Sequence, residues 1–179
     1  MYSCTSGTIS SRRRIIFQSP QGIICRFEWM KSLISQFPIK NITSFATTGF
    51  IDCLTVLLDA ILLHRCLVIP SYQSFCRPSS LYSILSSQQP GEFLLRTTPS
   101  LLTTICKGHS PLNVMMSIHL SGELLGVKTL KTLKAAFPEA QFLNIYGGRY
   151  TVMIMILKRL ICIYVHTQIV LLRVLAYFW

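Results

Sequence analysis

VMMSIHLSGE (114–123), VKTLKTLKAAF (127–137) and QFLNIYGG (141–148) decide how this chain folds. The first is a short apolar run with a Ser-Gly-Glu turn at its carboxyl end, which predicts a strand. The second is amphipathic, sets Lys128, Lys131 and Lys134 three residues apart on one solvated face, and is closed by Pro138. The third predicts another strand and turn. A strand, a covering helix and a strand in so short a span predict a parallel pair, because the crossover must pass over a sheet face.

The same rhythm extends toward the amino terminus. EFLLRTT (92–98) reads as a strand, and PSLLTTICK (99–107) as a helix opened by Pro99. RPSSLYSILSS (77–87) reads as a capped helix, and CLVIP (66–70) as a buried strand stopped by Pro70. FIDCLTVLLDAILLH (50–64) places Ile51, Leu54, Leu58, Ile61 and Leu62 on one helical face, which predicts that this face is inward. NITSFAT (41–47) is strand-like, and Ser19-Pro20 opens a helix through QGIICRFEWMKSLISQF (21–37). The fold class expected is α/β, a mostly parallel sheet covered by helices, in which ligands collect at the carboxyl ends of strands.

Composition narrows the partners. Of 179 residues 51% are hydrophobic and 13% charged, which excludes a disordered chain. The net charge of +11 suits nucleic acid, but the basic residues form no long stripe and do not interleave with aromatics, which argues against that partner. Seven scattered cysteines without a Cys-x-x-Cys pair or a suitably spaced His argue for reduced thiols in a cytoplasmic protein rather than a metal site. A secretory signal is not expected here, since Ile15-Ile16-Phe17 is too short an apolar run.

Two stretches stand apart. Near the amino terminus, TSGTISSRRRIIF (5–17) begins as a hydroxyl-rich phosphate cradle and continues with three arginines. It is either a basic surface turn or a phosphate loop without its glycines. At the other end, residues 150–179 contain no Gly, Pro, Asp or Glu. This apolar tail, 149–179, is expected to be a core or packing segment, helical in one reading, a membrane anchor, or the product of an altered reading frame. The uncharged window between Arg159 and Arg173 is shorter than the roughly 20 residues of a membrane helix.

Taken in order, the motifs resemble the adenylate-forming superfamily: acyl-CoA synthetases, luciferases and nonribosomal peptide synthetase adenylation domains. Thr5-Ser6-Gly7-Thr8 resembles the start of the phosphate loop T-S-G-[ST]-T-G-x-P-K-G, with Arg13 on its lysine. RFEWM (26–30) and TTGFIDCLTVLL (47–58) resemble the N-R-x-x-W and T-F-V-D-S-V-S-E-I segments of the beta-alanyl amine synthetase (ebony-type) branch. TTPSLLTTI (97–105) is similar to V-P-[ST]-L-L-R-x-[IL], HLSGELL (119–125) to C-S-G-E-x-L, and FPEAQFLNIYGG (137–148) to F-P-x-A-x-L-x-N-x-Y-G. The ordered set covers residues 5–148 and resembles part of an adenylation domain, which is expected over residues 1–148.

The resemblance implies that a complete relative activates a carboxylic or amino acid with ATP and magnesium to an acyl adenylate, for transfer to a carrier domain or amine. It assigns phosphate contacts to Thr5, Ser6, Gly7, Thr8 and Arg13, and adenine contacts to Asn144, Tyr146 and Gly147. It assigns the substrate to Asp52, as the partner of its amine, and to His119, Ser121, Gly122 and Glu123. The chain departs from the pattern where chemistry is concentrated. Ser10, Arg12 and Arg14 replace two glycines and a proline of the loop, and Arg149-Tyr150 stand where the family's magnesium glutamate follows N-x-Y-G. The expectation is an incomplete, catalytically impaired relative with no metal ligand and no catalytic residue of its own. The alternative is a non-catalytic basic protein held at a membrane or in an assembly by its apolar tail.

Each assigned residue also has an ordinary use. Asp52 suits a helix start, Tyr146 suits core packing, Asn144 and Gly147 suit a turn, and Glu123 suits a solvated turn. His64, His109 and His119 have no paired acid or cysteine nearby in sequence, so ordinary surface or core roles are expected of them rather than catalysis.

Overall fold

The computed structural model describes residues 2–4, 15–17, 20–35, 37–45, 51–148, 151–156, 161–166 and 169–176. Strands β1 (Tyr2–Cys4) and β2 (Ile15–Phe17) form an antiparallel pair of their own. Helix α1 (Pro20–Ile34) then leads to β3 (Asn41–Ser44), α2 (Ile51–Leu62) and β4 (Cys66–Val68). A short α3 (Tyr72–Phe75) precedes α4 (Pro78–Ser86), β5 (Phe93–Thr97), α5 (Pro99–Cys106), β6 (Ser117–Ser121), α6 (Val127–Ala136) and β7 (Gln141–Gly148). Strands β4, β3, β5, β6 and β7 lie side by side, all parallel. The expected α/β class is what the chain adopts.

Local chemistry accounts for the helix starts. The Thr98 hydroxyl accepts the Leu101 amide at 3.3 Å, and Pro99 needs no partner for its missing N–H. Pro78 opens α4 in the same way, and the Ser71 hydroxyl accepts the Ser74 amide to start α3. That short helix is absent from the sequence reading, where one capping serine is too weak a signal.

The sheet has two unlike faces. Helices α4, α5 and α6 cover one, where Leu81, Leu85, Leu102, Ile105 and Leu133 pack on Phe93, Leu95, Ile118, Leu120 and Phe142. This is a hydrocarbon layer. Helices α1 and α2 cover the other, where Met30, Ile34, Val56, Ile42 and Leu94 form a smaller cluster. β5 is buried at every residue, as a central parallel strand must be, and its apolar run is broken only by Arg96 and Thr97.

The inward face of α2 differs from the one its leucines predict. Thr55, Val56, Asp59 and Ala60 are buried, whereas of the predicted face Leu54 and Leu58 are half-buried and Ile61 and Leu62 exposed. The helix turns Thr55 toward Arg96 of β5 beneath it and Asp59 toward Arg26 of the neighbouring α1, and both side chains accept hydrogen bonds from those arginines. Apolar periodicity counts methyl groups and misses this.

Beyond β7 the backbone forms β8 (Thr151–Ile156), β9 (Ile161–His166) and β10 (Ile169–Ala176), antiparallel to one another and to β7. These strands coincide with runs of Val, Ile and Tyr. Among the described residues no helix is long and apolar enough to cross a membrane.

Candidate functional site

The carboxyl ends of β5 and β6 carry a polar cluster on the α1–α2 face. In a parallel pair, residues in register point to the same side, and Arg96 of β5 is in register with His119 of β6. Ser121, two residues on, returns to that side and donates its hydroxyl to Asp52 Oδ2 at 2.8 Å. Asp52 is the second residue of α2, so one hydrogen bond ties the Ser-Gly-Glu turn to the helix start. Arg96 Nη1 lies 3.7 Å from Asp52 Oδ1 and donates to Thr55 Oγ1 at 2.9 Å. Three expected residues, Asp52, His119 and Ser121, are thus brought together.

Arg96 organises this cluster and was missed from the sequence. Its guanidinium is fully buried, with Nη2 on the Met30 sulfur at 3.7 Å and Nε without a protein partner. Burial first, and Arg26 second, push its pKa down to about 10, while Asp52 and Asp59 act in the opposite sense. It therefore stays charged at neutral pH. The signal was present: an arginine inside FLLRT must find acceptors on whatever covers the sheet. Asp59, set among the leucines of α2, was the same signal for Arg26.

His119 is buried, with Nε2 3.2 Å from Ser117 Oγ and Nδ1 unpartnered. Burial, then Arg96 and Arg26, hold its pKa well below the usual value, so the imidazole is neutral. A neutral ring offers one donor and one acceptor, and a pKa held this low makes it a weak base.

Gly122 has φ +83°, a left-handed conformation that lets the turn leave β6 abruptly. Glu123 does not face Asp52. Its carboxylate accepts from the Ser100 hydroxyl and, at 3.3 Å, from the Ser100 amide, at the amino end of α5. It closes a helix terminus, where an anion is favoured.

Asn144 lies in β7 on the opposite face, two residues after Phe142, and its buried Oδ1 has no protein partner. β7 runs on through Tyr146, Gly147 and Gly148, which pair with β8, so the glycines belong to a strand. Thr5, Ser6, Gly7, Thr8 and Arg13 lie outside the described residues. They fall between β1 and β2, whose pairing sets Cys4 opposite Ile15. Arg149 and Tyr150 also lie outside the described residues. No three His, Cys, Asp or Glu side chains gather as a metal site among the described residues. A cavity of about 20 Å³, lined by residues such as Phe37, Met116 and Gln141, sits at the opposite, amino ends of the strands. It has room for little more than a water.

No family model and no curated protein matches the sequence. Solved structures do match. VinN in complex with L-aspartate is 21% identical with a TM-score of 0.61, over 85% of this chain and 39% of VinN. CmiS6 is 19% identical with a TM-score of 0.63, over 89% of this chain and 40% of CmiS6. The nonribosomal peptide synthetase FmoA3 is 11% identical with a TM-score of 0.70, over 89% of this chain and 17% of FmoA3. The chain has their fold, and spans about two fifths of VinN and CmiS6 and about a sixth of FmoA3.

Proposed function

We propose that this chain is the acid-recognising part of an adenylation-type unit, binding a small carboxylic or amino acid and, weakly, ATP, with adenylation impaired. The observation that carries the reading is the Asp52 carboxylate. It is fixed by Ser121 and Arg96 at the carboxyl ends of β5 and β6, where an open parallel sheet takes ligands. The match to VinN, whose structure was determined with L-aspartate, supports a small acid as the ligand class.

In this reading Asp52 accepts a hydrogen bond from the polar group of the acid, and Ser121 orients the carboxylate that does so. His119 and Ser117 line the strand beside it without taking a proton. Gly122 bends the chain, and Glu123 anchors the bend to α5. Asn144 fits a nucleotide, since its buried, unpartnered Oδ1 would accept the exocyclic amine of adenine, with Tyr146 and Gly147 following it in β7. ATP, when bound, supplies the adenylyl group that activates a carboxylate. A magnesium ion is not matched by the residues present, since Arg149 and Tyr150 replace the family's carboxylate position. The R-x-x-W and Asp52 segments are what supports an ebony-type relation in this reading.

Titration of the 179-residue chain with small acids and ATP, followed by amide NMR, tests this. Acid-induced shifts at Asp52 and Ser121, without ATP–pyrophosphate exchange above background, are expected. The absence of any acid-induced shift overturns acid recognition, and robust exchange overturns impairment.

A further inference from the structure

The family pattern would have Asp52 hold a substrate ammonium, but here a buried cation already faces it. Arg96 lies 3.7 Å from Oδ1, and Ser121 occupies Oδ2. The charges nearby cancel in pairs, Arg96 against Asp52 and Arg26 against Asp59. An ammonium brought to Asp52 would make the cluster net positive within a few ångströms of a guanidinium that cannot withdraw. Repulsion between like charges at such distances, under partial burial, removes most of what the carboxylate offers.

We infer that Arg96 is a specificity-determining residue, which turns the Asp52 position from an ammonium site into one for a hydroxyl group. The ligand class is then a small hydroxy acid rather than an amino acid. A hydroxyl donates one hydrogen bond to Asp52 without adding charge, and a carboxylate has lone pairs left after Ser121 and Arg96. The side chain of Asp52 keeps a quarter of its surface exposed, so a ligand can reach it, whereas Arg96 is closed off beneath α2. The field at the neighbouring strand agrees: both charges that act on His119, Arg96 and Arg26, disfavour its protonation. This inference rests on Asp52 being the acid-recognising group.

The test compares 3-hydroxypropionate with β-alanine, which differ by a hydroxyl against an ammonium, in NMR titrations of the 179-residue chain. The wild type is expected to bind the hydroxy acid at least about ten-fold more tightly. Arg96→Met is expected to reverse or abolish that preference, and Asp52→Asn to weaken hydroxy-acid binding. Tighter binding of β-alanine by the wild type overturns the inference, as does a preference unchanged in a folded Arg96→Met variant. If that variant does not fold, the wild-type comparison decides, with Arg96→Lys expected to keep the preference because it keeps the charge. If neither acid binds any of these proteins, acid recognition itself fails and this inference falls with it.

Discussion

Arg26 of α1 and Asp59 of α2 meet through two hydrogen bonds, 3.0 and 2.9 Å long, across the gap between the helices. The arginine keeps partial contact with solvent, but the aspartate side chain is only 2% exposed. Removing the arginine therefore strands a buried carboxylate, whereas removing the aspartate leaves a cation that can turn outward. Arg26→Ala is expected to lower unfolding free energy by about 3 kcal/mol, and Asp59→Ala by less, as read from urea denaturation. Equal losses would mean that solvent reaches Asp59.

The neutral, buried His119 makes stability depend on pH. Its folded pKa lies well below the unfolded value near 6.5, so the unfolded chain binds more protons in the interval between them. Its contribution is complete above about pH 6.5 and is lost as pH falls toward the folded value, at up to roughly 1.4 kcal/mol per pH unit. Denaturation midpoints at pH 7.5 and pH 5 are expected to converge in His119→Asn. A wild-type midpoint that does not fall with pH in this window would contradict the assignment.

The thiols should react in a fixed order. Cys25, Cys66 and Cys76 are exposed, while Cys53 and Cys106 are partly buried. Burial raises the Cys53 pKa and pushes that of Cys106 up to about 12, which leaves little thiolate on either. Brief alkylation at pH 8, followed by peptide mass spectrometry, is expected to label the three exposed cysteines well before Cys106. Early modification of Cys106 would show that α5 opens readily.

The turn after β6 depends on one backbone conformation. Gly122→Ala meets no close contact, since a Cβ there would lie 3.5 Å from the Thr98 methyl. Its cost is therefore conformational, on the order of 1 kcal/mol for a left-handed non-glycine residue. The Asp52–Ser121 contact should loosen with it, which a change in the Ser121 amide shift would report.

Much of the fold was legible because it depends on spacing. Pro20, Pro78 and Pro99 each mark a helix start, and the strands 41–44, 66–68, 93–97, 117–121 and 141–148 fall within the short apolar runs that predict them. The cluster was legible only in part. Asp52 and Ser121 stand out by motif, but Arg96 and Asp59 act through partners 41 and 33 residues away, Thr55 and Arg26. Pairings at that range leave no periodic trace. Glu123 shows the converse: its motif suggests a ligand contact, whereas the geometry gives it to Ser100.

The unlike faces of the sheet also constrain how it can assemble. Along β6 the residues alternate between Ser117, His119 and Ser121 on one side and Ile118 and Leu120 on the other. A slip of one residue against β5 would drive an imidazole into hydrocarbon and set a leucine against Asp52. Few misalignments of a strand are penalised on both sides at once. The polar cluster thus serves as a proofreading mark for strand order, and a variant that made β6 apolar throughout would gain burial while losing its reason to stop in the right place.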